Sequence, residues 1–308
     1  MNAVFSTEEI QEIKKDEEGN IDTEDLVNYL IESKKMLKNA SYFAFTATPK
    51  NKTLETFGTK QKNGEFLAFH NYSMKQAIEE EYILDVLQKY TTFKSYYKIK
   101  KELSASEIKE YETKSANKKL KSFVESNEIA IMEKTQIMVN HFNKHVRHAI
   151  NNNAKAMVVT KSIEAAMKYK DAFDKYLAEL RLPYKAIVAF SGKKAHYKSG
   201  IELSEADMNK FPDGNNNIPK QFKKSDYKFL IVANKYQTGF DEPYLHTMYV
   251  DKELSDVQAV QTLSRLNRAC KPYKEDTFVL DFYNDVEDIQ KAFEPYYSTT
   301  ILSMETDV

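Results

Sequence analysis

The chain has 308 residues, 42% of them hydrophobic and 12% aromatic, which is enough to bury a sizeable core in one full domain with appendages. Its 45 lysines and arginines against 46 aspartates and glutamates leave a net charge of −1; this excludes a basic protein that coats nucleic acid, so any such contact is a local patch. One cysteine, Cys270, excludes intrachain disulfides and a Cys-x-x-Cys zinc site, and no apolar run reaches the ~18 residues of a membrane span, which makes the cytoplasm the default location.

Residues 1–25 carry nine acidic residues and two lysines and read as a solvated lead-in. A helix is predicted over 23–39 with Thr23 as its cap, then a strand over 42–46. Residues 49–64 are polar with turn character, 66–69 suit a short strand, and Ser73 caps a helix running from 74 to about 90. Phe93, Tyr97 and Ile99 are placed to enter a second sheet. Over 94–121 nine lysines face four glutamates, which on charge alone is a solvated helix and functionally a surface that helps hold a DNA backbone. A long amphipathic helix is expected over 128–150, through Ile131, Met132, Val139, Phe142, Val146 and Ile150. Its His141, His145 and His148 share a face, but with no carboxylate at position 142 and no thiol nearby they read as surface histidines rather than metal ligands.

Strands at 156–160, 184–190, 228–233, 247–250 and 277–282 then alternate with helices at 163–181, within 204–224, at 256–269 and at 285–296. That alternation implies an α/β fold, a parallel sheet with helices on both faces. The lysine-rich stretch 193–200 lacks periodicity and is expected to be a mobile loop; Asp213 to Asn217 form another loop, flanked by Pro212 and Pro219. Ser191-Gly192 is not a nucleophile elbow, since no glycine stands two residues before the serine.

Two neighbouring segments carry the chemistry. The apolar run 229–233 reads as a strand buried on both faces, and its carboxyl end leads into a loop with Thr238, Gly239 and Asp241, where ligands bind in open parallel sheets. Glycine there opens backbone angles closed to other residues, and Asp241 accepts from arginine or amides. In the helix predicted over 256–269, Gln261, Arg265 and Arg268 fall within roughly 60° of one another, opposite Ala259, Val260, Leu263 and Leu266. Planar, permanently charged guanidiniums suit phosphate oxygens. Alone the polar side is a solvated face; after the strand and loop it is expected to offer two arginines at the rim where the central strands terminate.

The pair resembles motifs V and VI of superfamily-two helicases and DNA translocases, with Ser264 and Asn267 where motif VI has glycines. Thr-Gly-Phe-Asp followed by Ser-Arg-x-Asn-Arg is most similar to the restriction (R) subunit of type I restriction–modification enzymes. Tyr42-Phe43-Ala44-Phe45-Thr46-Ala47-Thr48-Pro49 resembles that family's motif III, 155–162 its motif IV, and Ala189-Phe190-Ser191-Gly192 and Leu280-Asp281-Phe282 later strand ends, in order from about 42 to 285. A Gly-x-x-x-x-Gly-Lys-Ser/Thr loop is absent, no Asp-Glu pair follows an apolar strand ahead of Thr46, and the family's nuclease carboxylates are absent too.

The resemblance implies a RecA-like second motor lobe over 92–285. A remnant of the first RecA-like lobe and a connecting helix precede it over 1–91, and the start of a helical region follows over 286–308. It implies ATP and Mg²⁺ as cofactors of the intact parent, no resident metal in this chain, and no ATP hydrolysis by the chain alone. Arg265 and Arg268 would reach the γ-phosphate with Gln261 orienting them. Thr238, Gly239 and Asp241 would couple nucleotide to DNA; Thr160, Lys161, Ser162, Ser191 and Gly192 would touch the DNA backbone; Thr46 and Thr48 would relay closure. Implied partners are double-stranded DNA, the methylase and specificity subunits, and the missing first lobe. A lobe of another superfamily-two helicase, or a non-catalytic module that binds DNA or a subunit, remain as alternatives.

Overall fold

A computed structural model describes residues 43–49, 51–93, 128–236 and 240–297. The acidic lead-in, the helix over 23–39, Tyr97, Ile99, the lysines of 94–121, Thr238 and Gly239 lie outside the described residues. The chain divides into two compact units, residues 1–76 with 295–308, and residues 77–294.

In the first unit, 43–46 is not a strand. Phe43 and Phe45 are 79% and 95% exposed, so nothing among the described residues covers this β-prone, apolar segment. Helix α1 (Asn51–Phe57) and a two-stranded antiparallel ribbon, β1 (Thr59–Lys60) with β2 (Phe66–Leu67), follow. Gly58 is the close approach between them: a Cβ there would lie 2.5 Å from the Leu54 carbonyl oxygen and 2.7 Å from that of Leu67. Ser73 accepts the Gln76 amide at 3.1 Å and caps α2 (Met74–Glu79). That helix stops about eleven residues before its expected end, where Glu81 takes φ +58°, and the chain goes on to strand β3 (Tyr90–Thr92).

The second unit is organised by a six-stranded sheet, all parallel, in the order β3-β10-β9-β4-β8-β5. Its members are β4 (Lys155–Thr160), β5 (Lys185–Ala189), β8 (Tyr227–Val232), β9 (Leu245–Asp251) and β10 (Phe278–Asp281), with β3 as one edge. Every residue of β4, β8 and β9 is buried, as a strand covered on both faces requires. One face packs under α3 (Glu128–His141) and α4 (Ile163–Glu179), where Phe142, Phe173, Phe229 and Tyr184 form an aromatic cluster. The alternate residues Met157, Val159, Leu230, Val232, Met248, Val250 and Val279 are buried on the other face. Helices α5 (Glu205–Asn209), α6 (Ile218–Phe222), α7 (Asp256–Leu263) and α8 (Val286–Tyr297) complete the alternation. The fold is the expected α/β one, a parallel sheet clad by helices. No helix among the described residues is long and apolar enough to cross a membrane.

Three local expectations are corrected. The stretch 193–200 is not an irregular loop: β6 (Lys193–Ala195) pairs with β7 (Glu202–Ser204) as an antiparallel hairpin, turned at Gly200 with φ +69°. The helix begun as α3 passes into a π-helical turn over Phe142–Val146 and ends in left-handed residues at Ile150 and Asn151. His141 is core, not surface. Its Nδ1 lies 2.8 Å from the Tyr249 hydroxyl and its ring stacks on Phe278 at 4.5 Å, while His145 and His148 are exposed.

Burial holds the His141 imidazole down to about 4, with His145 and His246 adding repulsion. As pH falls from 6.5 towards 4 the unfolded chain takes up this proton and the folded chain does not, so the fold loses stability over that window. Melting curves of wild type and His141→Gln check this. The wild type is expected to lose more melting temperature between those pH values, and equal losses would contradict a shielded neutral ring.

Candidate nucleotide and DNA site

Helix α7 begins beyond the carboxyl end of β9 and runs back against the sheet, so its apolar residues Ala259, Val260 and Leu263 are fully buried. It ends at Leu263, five residues before Arg268. Ser264, Arg265 and Leu266 continue as tight turns, with the amides of Arg265 and Leu266 bonded to Thr262 O at 3.2 Å and Leu263 O at 3.0 Å. Arg268 is then extended in an antiparallel bridge to Ile83, and Leu84 N donates to Asn267 O at 2.8 Å. Gln261 and the two arginines therefore do not share one helix face, contrary to expectation. Tertiary pairing with residues 83–84 ends the helix where the apolar period alone would have continued it.

The arginines differ in what they do. Arg265 is half-buried, and its Nε and Nη1 donate to Gln261 O and Phe240 O, each at 3.2 Å. Burial first, and then the neighbouring Arg268 charge, lower its pKa. Arg265 is thus a clasp between the end of α7 and the loop preceding β9. Arg268 is 48% exposed in its side chain and pairs through Nε with the 70%-exposed Asp241 at 3.3 Å. A guanidinium so placed is oriented but free to exchange one anionic partner for another.

Beneath them lies Lys274, a residue the sequence did not single out. It is 2% exposed, its Nζ donates to Leu266 O at 2.7 Å and Arg268 O at 2.9 Å, and burial pushes its pKa down to about 7. Two amine protons suffice for both carbonyls in either charge state. A lysine amid Cys-Lys-Pro-Tyr-Lys-Glu-Asp has no periodicity to mark it as buried. One signal was available: of 45 cationic residues only Arg147, Arg181, Arg265 and Arg268 are arginine, so half of the chain's arginines lie in this turn.

The second group of predicted residues sits at the carboxyl end of the sheet. Thr160, fully buried, has its hydroxyl 3.1 Å from both Ser162 O and Val232 O. Ser162 Oγ accepts the Ala165 amide at 3.1 Å and caps α4. Replacing it by alanine should cost about 1 kcal/mol in denaturant melts; an unchanged midpoint would mean the cap is not used. A pocket of about 120 Å³ opens here, lined by Lys161, Ser162, Glu164, Lys168, Tyr169 and Asp251 among others. Ser191 is half-buried and Gly192, at φ +73°, is exposed with open space around it. In the other unit, Thr46 Oγ1 accepts the Thr48 amide at 3.2 Å, and Thr48 is buried.

Asp241 and the arginines do not lie at this rim. Glu242, next to Asp241, is close enough to Lys155 at the start of β4 to feel its charge, and Lys155 N donates to Tyr244 O at 2.9 Å. The arginine turn pairs with residues that precede β3 and is underpinned by Lys274, which precedes β10. The two predicted groups occupy opposite ends of the sheet because α7, like any crossover helix, returns the chain to the starting edge. The segment joining β8 to β9 runs from one end to the other.

Residues 194–284 match the family described as type I restriction enzyme subunit R domain 3, and residues 23–122 match the SWI2/SNF2 ATPase family. A type I restriction enzyme endonuclease subunit of Staphylococcus aureus (strain MRSA252) is 26% identical over 306 residues, covering 89% of this chain and 31% of that subunit. One from Staphylococcus saprophyticus is 27% identical over 288 residues, covering 83% and 29%. The chain is similar in sequence to the endonuclease subunits of type I restriction enzymes. It spans about a third of the length of these relatives. Among solved structures, the ATP-dependent type ISP restriction-modification enzyme LlaBIII bound to DNA covers 75% of this chain and 15% of its own, with 14% identity and a TM-score of 0.41.

Proposed function

We propose that the chain forms the second lobe and the end of the first lobe of an ATP-dependent double-stranded DNA translocase, the motor of a type I restriction endonuclease subunit. The observation that carries this is the arginine turn. Arg268 is held half exposed on a segment fastened from three sides, by Arg265 to the loop, by Lys274 from below and by Ile83–Leu84 along its backbone. A clamped backbone with an exposed guanidinium suits charge that develops on a phosphoryl group in transit.

Within this reading Arg268 is the residue that reaches the phosphates, and Asp241 holds it in the absence of nucleotide. Arg265 and Gln261 keep the turn against the loop. Arg268 fits the anionic side of ATP. Among the described residues no group of three His, Cys, Asp or Glu could hold a metal ion. Bound ATP would supply the phosphoryl group, its phosphates and Mg²⁺ held by residues of a first lobe outside this chain. Thr160, Lys161, Ser162, Ser191 and Gly192 meet the DNA backbone, which positions a strand without reading sequence. Thr238, Gly239 and Asp241 couple the nucleotide to DNA, Thr46 and Thr48 relay lobe closure, and the methylase and specificity subunits complete the complex in the cytoplasm.

The test is a chimaera in which this chain replaces the matching 31% of the Staphylococcus aureus relative. DNA-stimulated ATP hydrolysis by the folded chimaera supports the motor. Salt-sensitive DNA binding with no hydrolysis would favour a non-catalytic DNA-binding module.

A further inference from the structure

Lys274 is a lysine in a costly place. It is 2% exposed, and both bonds of its ammonium group go to neutral carbonyls, Leu266 O at 2.7 Å and Arg268 O at 2.9 Å. The carboxylates of Glu242 and Asp276 act on it electrostatically, but Glu242 is bonded to Tyr244 N, and Asp276 to His246 and Lys89. A buried cation that rests on carbonyls recovers only part of the hydration it gave up. A neutral donor would satisfy the same two oxygens, so stability alone does not account for a lysine here.

What the side chain holds is the backbone that carries Arg268. The segment after Arg268 folds back, with Lys274 N donating to Cys270 O at 2.9 Å, so the lysine stem starts from a closed turn. The carbonyls of three successive residues are then taken. Lys274 Nζ holds Leu266 O and Arg268 O, and Leu84 N donates to Asn267 O between them at 2.8 Å. The Arg268 guanidinium, in contrast, rests at 3.3 Å on an Asp241 whose side chain is 70% exposed. Its place is therefore set through the main chain, from below, more than by its own ion pair.

We propose that Lys274 is a positioning residue for phosphoryl transfer, acting through Arg268 by gripping the carbonyls on both sides of Asn267. This rests on the reading of Arg268 as the residue that reaches the phosphates. A displacement of about 1 Å in such a group costs on the order of 10²-fold in rate. The grip also depends on charge. Burial brings the Lys274 pKa down to about 7, and the Arg268 charge adds to this while Cys270, Glu242 and Asp276 oppose it. As pH rises through that value the ammonium becomes an amine and its bonds weaken, since charge-assisted bonds are roughly twice as strong. An anion on Arg268 offsets that arginine's charge, so with nucleotide bound the same loss comes at higher pH.

The experiment has two parts. In the whole chain, Arg147, Arg181, Arg265 and Arg268 are the only arginines, so their side-chain Nε–Cζ signals are resolved by NMR and Arg268→Lys assigns the one that matters. The Arg268 signal is expected to move as pH passes through about 7 in wild type and to stay still in Lys274→Met, which keeps an unbranched stem without donors. The same movement in both would overturn the proposal. In the chimaera, Lys274→Met is expected to lower kcat for DNA-stimulated ATP hydrolysis about 10²-fold with KM for ATP unchanged. Wild-type kcat/KM should fall above about pH 7 and kcat at a higher pH, a measurement that needs no variant to fold. Turnover that needs Arg268 but is the same in Lys274→Met, or profiles flat across this range, would overturn this inference alone. No hydrolysis by the folded wild-type chimaera would overturn the motor reading and this inference with it.

Discussion

Replacing Arg268 by alanine is expected to lower kcat for DNA-stimulated ATP hydrolysis by the chimaera about 10³-fold or more, the range for removal of an arginine that stabilises phosphoryl transfer. The melting temperature should not change, since the side chain is 48% exposed and its Asp241 partner 70% exposed. Arg265→Ala should behave differently. Its guanidinium is tied to the carbonyls of Phe240 and Gln261, so its removal frees the loop and leaves two acceptors short of a donor. That variant is expected to lose activity together with about 1–2 kcal/mol of stability. Unfolding curves recorded beside the turnover assays separate the two outcomes. Equal behaviour of the variants would remove the division of labour, and wild-type turnover in Arg268→Ala would remove the finger.

The second large effect concerns Asp251, at the carboxyl end of β9. Its Oδ1 accepts the Lys134 ammonium at 2.6 Å and its Oδ2 the Tyr169 hydroxyl at 2.6 Å, joining α3 and α4 to the central sheet. The ion pair is enclosed, with side-chain exposures of 16% for Lys134 and 8% for Asp251, so the abandoned ammonium has little water to return to. Asp251→Ala should therefore destabilise the fold by about 3 kcal/mol, because deleting one member of an enclosed pair strands its partner. The accompanying fall in melting temperature should be roughly 10 °C for a unit of this size. A loss below about 1 kcal/mol would show that Lys134 rehydrates freely.

The central strands were legible because each holds a short apolar run, 156–159, 229–232 and 248–250. Lys155–Thr160, Tyr227–Val232 and Leu245–Asp251 are buried at every position, a signature that no amphipathic helix shares. The arginine turn was legible in composition but not in shape. Leu263 and Leu266 keep the helical period, and what ends α7 is contact with Ile83, Leu84 and Lys274, residues remote in sequence or hidden in a polar stretch. The hairpin was missed because its lysines mask the alternation and its second strand lies across the turn at Gly200. His141 was misplaced since one histidine among three at helical spacing gives no sign that a tyrosine hydroxyl awaits it. The expectation of a single rim failed for a topological reason: the carboxyl ends of the strands gather Thr160, Ser162 and Ser191, while the crossover helix delivers the arginines to the opposite end.

The most direct measurement is a crystal structure of the chimaera with DNA, ADP and a planar fluoride mimic of the transferring phosphoryl group. The account predicts that Arg268 leaves Asp241 and donates to the mimic at about 2.8 Å, with Arg265 still on the Phe240 carbonyl. An Arg268 that stays on Asp241, or an Arg265 that abandons its carbonyls to reach the mimic, would contradict it.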